Sequence, residues 1–280
     1  MKDSFRYALI SLIAFSITYS LTLFIQNELI TNAVIISFLL QWALFFPAYF
    51  YQTEKFYDIS GSINYILIVS YIYISNYISH GFNIGNLVLS FLIFIWAIRL
   101  GMFLFLRIQK DGEDKRFGSI KPSATKFFMT WTLQATWVSV CSLCAITGIS
   151  SNSGVVINNL FFLGLTFFIL GFFIEVVADI QKTKFRKNPK NKNNFITTGL
   201  WAYSRHPNYL GEILVWTGIS IISFSSFSNL QYITLISPIF TYVLLVYVSG
   251  VNLLEESGNK KWGHLKDYKE YIQKTPRLLF

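Results

Sequence analysis

Residues 155–188 read VVINNLFFLGLTFFILGFFIEVVADIQKTKFRKN. The first part is apolar over about the 20 residues that carry a helix across a bilayer. Glu175, Asp179, Lys182 and Arg186 then follow at spacings of four, three and four, which is one face of a helix. Helix-end ion pairs between these acids and bases would account for the spacing. Glu175, however, comes directly after LGFFI. A carboxylate still inside the bilayer is costly unless it serves a purpose. The stretch therefore reads as a membrane span, roughly 155–178, whose exit carries a candidate site.

The rest of the chain agrees. Of 280 residues, 53% are hydrophobic, 13% are charged and 28 are Phe. That composition belongs to an integral membrane protein rather than to soluble domains. Candidate spans fall at 7–25, 30–51, 60–79, 84–106, 127–148, 155–178, 208–228 and 231–253. The expected fold is an all-α polytopic helical bundle of about seven to eight transmembrane helices, forming a single membrane domain over 1–280. The third span, rich in Tyr, Ser and Asn, is the least apolar, and serines make the end of the seventh polar. The run from Tyr7 to Ile25 is too long for a cleaved signal peptide and is expected to remain as the first helix.

The net charge of +9 does not point to nucleic acid, because the cations sit in short loops between apolar runs. Basic segments follow the fourth, sixth and eighth spans, and the connections at 80–83, 149–154 and 229–230 hold no Lys or Arg. By the positive-inside rule the basic segments face the cytoplasm. Cys141 and Cys144 lie within an apolar run and read as small residues of a membrane helix. Two thiols and three scattered His offer no metal-ligand set, so no metal centre is expected.

Three further constellations bear on function. KFRKNPKNKNNF, residues 184–195, suits an irregular loop. It is either a plain topogenic signal with some attraction to anionic membrane lipids or a cradle for a polyphosphate, whose oxygens Arg and Asn match. GLWAYSRHPNYLGEILVW, residues 199–216, sets Arg205, His206, Asn208 and Glu212 at the mouth of an apolar helix that Pro207 can start. Asn208 and Glu212 share a face, with Glu212 about one turn inside. An apolar pocket favours the neutral form of a carboxyl, and a neutral acid there can donate to a substrate carbonyl. The chain then closes with LLEESGNKKWGHLKDYKEYIQKTPRLLF, residues 253–280, in which Lys266, Tyr268, Lys269 and Tyr271 form a short amphipathic piece. That tail either lies on the membrane surface or closes over the basic loop and completes a nucleotide site. No Gly-x-Gly-x-x-Gly or P-loop motif is present.

IEVVADIQKTKFR, TTGLWAYSRHPNYLGE and the closing stretch resemble the C-terminal half of the steroid 5α-reductase family, most closely its bacterial branch of uncharacterised membrane proteins. With KFYDISGSINY and WAIRLGMFLFLRIQKDGEDKRFG the resemblance covers residues 54–280, with a cofactor-binding half at about 155–280. It implies an NADPH-dependent oxidoreductase acting on a CH–CH group, in a bacterial inner membrane with its cofactor site toward the cytoplasm. The substrate would be an apolar enone, steroid-like or an isoprenoid lipid. The resemblance makes Glu212 the catalytic acid that polarises the ketone and sets Asn208 beside the nicotinamide amide. Glu175, Asp179, Lys182, Arg186, Tyr203, Arg205, His206, His264 and Tyr268 would be further cofactor contacts. The basic residue of the steroid enzymes just upstream of the Gly is here Asn194, so Lys184, Lys187, Lys190 or Lys192 would share the diphosphate. Glu54 and Asp58 are the nearest counterparts of a second ketone-binding acid.

A second resemblance competes. Isoprenylcysteine carboxyl methyltransferases also carry R-H-P-x-Y after a Gly-aromatic segment, and a Glu-rich last helix before a Tyr-containing tail. They bind S-adenosylmethionine, which needs no phosphate cradle. The seven basic residues between Lys182 and Arg205 suit NADPH better. A lipid-binding or scaffold protein without any nucleotide is the third reading.

Overall fold

The computed structural model describes residues 2–279. Among them there is helix and turn but no strand. The chain packs as two compact units, one formed by residues up to Ile157 with Ser223–Ile236, the other by Asn158–Ile222 with the chain from Ser237 on.

The first unit is built from α1 (Lys2–Ile25), α2 (Glu28–Phe50), α3 (Tyr57–His80), α4 (Ile84–Asp111), α5 (Ala124–Cys141) and α6 (Leu143–Ser150). Local chemistry marks several starts: Asn27, Asn83 and Ser123 each cap the following helix by accepting from its first N–H groups. Helix α3 packs against α2, α4, α5 and α6. Its polar residues Ser60, Asn64 and Asn76 are buried, while Ile63, Leu67, Ile74 and Ile78 face outward. Asn64 Nδ2 donates to Ser37 Oγ of α2 at 2.9 Å, Ser60 Oγ to Gln134 Oε1 of α5 at 3.2 Å, and Asn86 Nδ2 of α4 to Asn76 Oδ1 at 2.8 Å. Polar side chains joined across helices are the glue of a membrane bundle, where lipid removes the hydrophobic drive between helices.

The second unit holds α7 (Asn159–Lys187), α8 (Pro207–Phe224, of which Ser223 and Phe224 belong to the first unit), α9 (Ile236–Val243, of which Ile236 belongs to the first unit), α10 (Val251–Trp262) and α11 (Lys266–Lys274). Two glycines on α7, Gly164 and Gly171, meet two on α8, Gly218 and Gly211. A Cβ on Gly164 would lie 2.5 Å from Gly218 O, and one on Gly171 would lie 2.6 Å from Gly211 O. Numbers rise along one helix as they fall along the other, so α7 and α8 run antiparallel with their backbones in contact, the approach that small residues allow.

Among the described residues, five helical segments are long and apolar enough to cross a membrane, six if the bent α5–α6 pair is one span. Several expected boundaries need correction. The run at 127–148 is bent by 50° at Ser142, whose hydroxyl donates to Val138 O at 2.7 Å, a side-chain bond of the kind that bends helices. The segment at 231–253 is a 3₁₀ turn (Asn229–Leu235), α9, a π turn (Leu244–Val248) and the start of α10. Lys184–Lys187, expected in an irregular loop, complete α7, where cations favour the helix C-terminus. The helix ends at Asn188, the residue before Pro189. Cys141 and Cys144 are buried without a disulfide.

Candidate functional site

The crossing of α7 and α8 determines what faces what. A Cβ on Gly211 would lie 2.6 Å from Glu175 N and 2.8 Å from Glu175 Cβ. Glu175 thus lies against α8 at the residue preceding Glu212, and both are buried, at 2% and 8% exposure. Asp179, one turn further along α7, is buried as well. Lys182 sits 4.5 Å over the ring of Trp201, a cation–π contact. Arg186 is exposed near the end of α7, beside Lys184 and Lys187.

Between α7 and α8 the chain is fixed from both sides. Gly199 has a positive φ of 65°, and a Cβ there would meet the Gln181 amide. Gln181 Oε1 instead accepts Leu200 N–H at 3.0 Å, and Trp201 Nε1 donates to Ala178 O at 3.1 Å. From the other side the C-terminal segment returns. Tyr271 OH donates to Trp201 O at 2.7 Å, Arg205 N to Pro276 O at 2.9 Å and Trp262 Nε1 to Asn193 O at 2.6 Å. Burial pushes the Tyr271 phenol up to about 12, so it remains a donor at neutral pH.

Arg205 and His206 reach Glu255 of α10. Arg205 Nη1 donates to Glu255 Oε2 at 2.6 Å, and His206 Nε2 lies 2.7 Å from Oε1. Asn208 follows in the first turn of α8, with its Oδ1 buried and unbonded within the chain; His206 Nδ1 and Arg205 Nε are in the same condition. Tyr268 is buried, its ring 4.9 Å from that of Phe195 and its hydroxyl against Gly258. Tyr203 and His264 are exposed. In the first unit, Glu54 has both oxygens engaged: Lys121 Nζ lies 2.5 Å from Oε2, and Asp114 N–H donates to Oε1 at 2.8 Å. Two contacts escaped the sequence reading. One is the pairing of Arg205 and His206 with Glu255, about fifty residues away; the other is the Gly171–Gly211 contact, which spacing alone does not assign to a partner helix.

The arrangement joins buried acids, a patch of cations and unpartnered polar atoms at the start of one helix. The sequence pattern of DUF1295, described as a protein of unknown function, matches residues 44–275. The chain belongs to that family. The family is the steroid 5α-reductase-like group, in agreement with the resemblance of the motifs. A probable 7-dehydrocholesterol reductase of Acanthamoeba polyphaga mimivirus is 27% identical over 153 residues, 46% of this chain and 32% of that protein. A probable O-methyltransferase, ustE, of Ustilaginoidea virens is 33% identical over 84 residues, 29% of this chain and 30% of that protein. The chain therefore spans less than a third of the length of these curated relatives. No solved structure matches it.

Proposed function

We propose that the protein is a membrane-embedded, NADPH-dependent reductase of the carbon–carbon double bond of an apolar enone, a steroid-like or isoprenoid lipid. The observation that carries this reading is the Gly171–Gly211 contact. It sets Glu175 against the helix that bears Asn208 and Glu212, with a row of cations beyond Asp179. The residues fit the cofactor. Asn208 Oδ1, a buried acceptor unbonded within the chain, suits an N–H of a carboxamide. Arg186 with Lys184, Lys187, Lys190 and Lys192 suits phosphate oxygens. NADPH, when bound, supplies the hydride.

The protein's own part is positioning and polarisation. Asp179 and Arg186 hold the nucleotide at the end of α7, and Asn208 orients the nicotinamide end. Glu212, one turn deeper on α8, donates a hydrogen bond to the substrate carbonyl oxygen and stabilises the negative charge that develops there. Leu210, Val215 and Trp216, near it along α8, are buried.

The similarity to an O-methyltransferase keeps one alternative, methyl transfer from S-adenosylmethionine at the same helix start. Titrating the purified protein in detergent with NADPH, NADH and S-adenosylmethionine separates the two, because a ligand that binds only the folded state raises the unfolding midpoint. Stabilisation by NADPH supports the reductase. Stabilisation by S-adenosylmethionine alone replaces it with the methyltransferase.

A further inference from the structure

Glu255 has no part in that chemistry, yet it is a buried carboxyl with both oxygens engaged. Arg205 donates to Oε2, and Arg277 Nε lies 4.0 Å from the same oxygen. Two guanidinium groups favour the ionised acid, and an ionised carboxylate only accepts hydrogen bonds. The proton in the 2.7 Å contact between Oε1 and His206 Nε2 therefore sits on the imidazole. Burial lowers the pKa of His206; the Glu255 carboxylate opposes this, while Lys182 and Arg205 add to it, and the net shift is downward. The ring is thus neutral around neutral pH. A neutral imidazole protonated at one nitrogen offers the other as an acceptor. That other nitrogen, Nδ1, is buried and unbonded within the chain.

We infer that Glu255 is a positioning residue, holding His206 in the Nε2–H tautomer so that Nδ1 accepts a hydrogen bond from a ligand at the start of α8. Asn208 Oδ1, two residues on, is a second buried acceptor. The ligand chemistry that satisfies both is a set of N–H or O–H donors, such as a primary carboxamide or the hydroxyls of a ribose. The choice of ligand rests on the cofactor reading above; the tautomer does not. This also gives Arg205 a purpose apart from direct ligand contact: its charge keeps Glu255 ionised, and only an ionised Glu255 fixes the ring.

The chain holds three His, so ¹⁵N-histidine labelling gives a sparse spectrum in which His206 is assigned by its loss in His206→Gln. In the wild-type protein near neutral pH, Nδ1 is expected to resonate as unprotonated and Nε2 as protonated, and NADPH is expected to shift the Nδ1 signal. Glu255→Gln keeps the shape but offers an amide that donates as readily as it accepts. The ring should then lose its single tautomer, and the Kd for NADPH should rise about tenfold, the worth of one ligand hydrogen bond. A protonated Nδ1 in the wild type overturns the inference, and so does a Glu255→Gln spectrum identical to wild type; the wild-type spectrum decides even if the variant does not fold. The expected ring pattern with no response to NADPH supports the positioning by Glu255 and retires the reductase reading instead.

Discussion

Gly171 of α7 and Gly211 of α8 stand so close that a methyl group on either would lie 2.6 Å from the other's carbonyl oxygen. Both obstacles are backbone, so neither can swing aside. Gly211→Ala must separate the helices and should destabilise the protein by about 1–3 kcal/mol, the usual cost of overpacking. Gly118→Ala is the control, since nothing lies within 4 Å of its would-be Cβ. Thermal unfolding in detergent compares them, and equal midpoints would mean that the contact does not hold α7 to α8.

A second prediction concerns acid. Burial raises the Glu54 pKa, but the hydrogen bonds from Lys121 and from Asp114 N–H outweigh it, and the net shift is below the ordinary 4.5. A carboxyl depressed in the folded state stabilises fully above its unfolded pKa, and that contribution fades as pH falls through the lower, folded one. The unfolding midpoint should therefore drop as pH falls below about 4.5, and Glu54→Gln should flatten the drop. Asp114 is also depressed: burial raises it, and Arg116 lowers it further. The variant should thus weaken the acid dependence without removing it. A wild-type slope retained in Glu54→Gln would show that Lys121 holds no ionised partner.

The helices were legible in the sequence to the extent that apolar length alone decides them. Helix α3 shows where average hydropathy falls short: Asn64 and Ser60 dilute the apolar signal, yet they are buried against Ser37 and Gln134 while Ile63, Ile74 and Ile78 face outward. The bend at Ser142 was not legible, because a hydroxyl that competes for Val138 O leaves the composition of the run unchanged. At the candidate site, the face shared by Glu175, Asp179, Lys182 and Arg186 follows from helical spacing, and α7 does run through all four. The pairing of Arg205 and His206 with Glu255 depends on how the C-terminal segment folds back, information that no local window carries.

Nucleotide binding gives a third prediction. Arg186→Ala should weaken NADPH binding about tenfold or more, as expected for a lost charge-assisted contact to phosphate. Asp179→Asn should weaken NADPH and NADH alike if Asp179 holds the part common to both. Preferential loss of NADPH in Arg186→Ala would place the 2′-phosphate at that side chain. Calorimetric titration reads both, and wild-type affinity in both variants would reduce the end of α7 to a solvated helix terminus.

The last prediction concerns Glu212, buried on α8 next to the residue that packs on Glu175. Glu212→Gln keeps volume and a hydrogen-bond donor but removes the acid. The backbone contact at Gly211 is untouched, so the α7–α8 crossing and nucleotide binding should survive. Turnover of an enone substrate should fall on the order of 100-fold or more, as when one donor to a developing oxyanion is lost. The loss should appear in kcat more than in KM, because the acid binds the oxygen more strongly as charge builds on it. Glu175→Gln makes the useful comparison: if it lowers turnover as much while Glu212→Gln does not, the polarising acid is on α7. Full turnover in Glu212→Gln would remove this residue from the chemistry altogether. Methyl transfer from S-adenosylmethionine by the wild type, abolished in the same variant, would assign Glu212 to the other reaction.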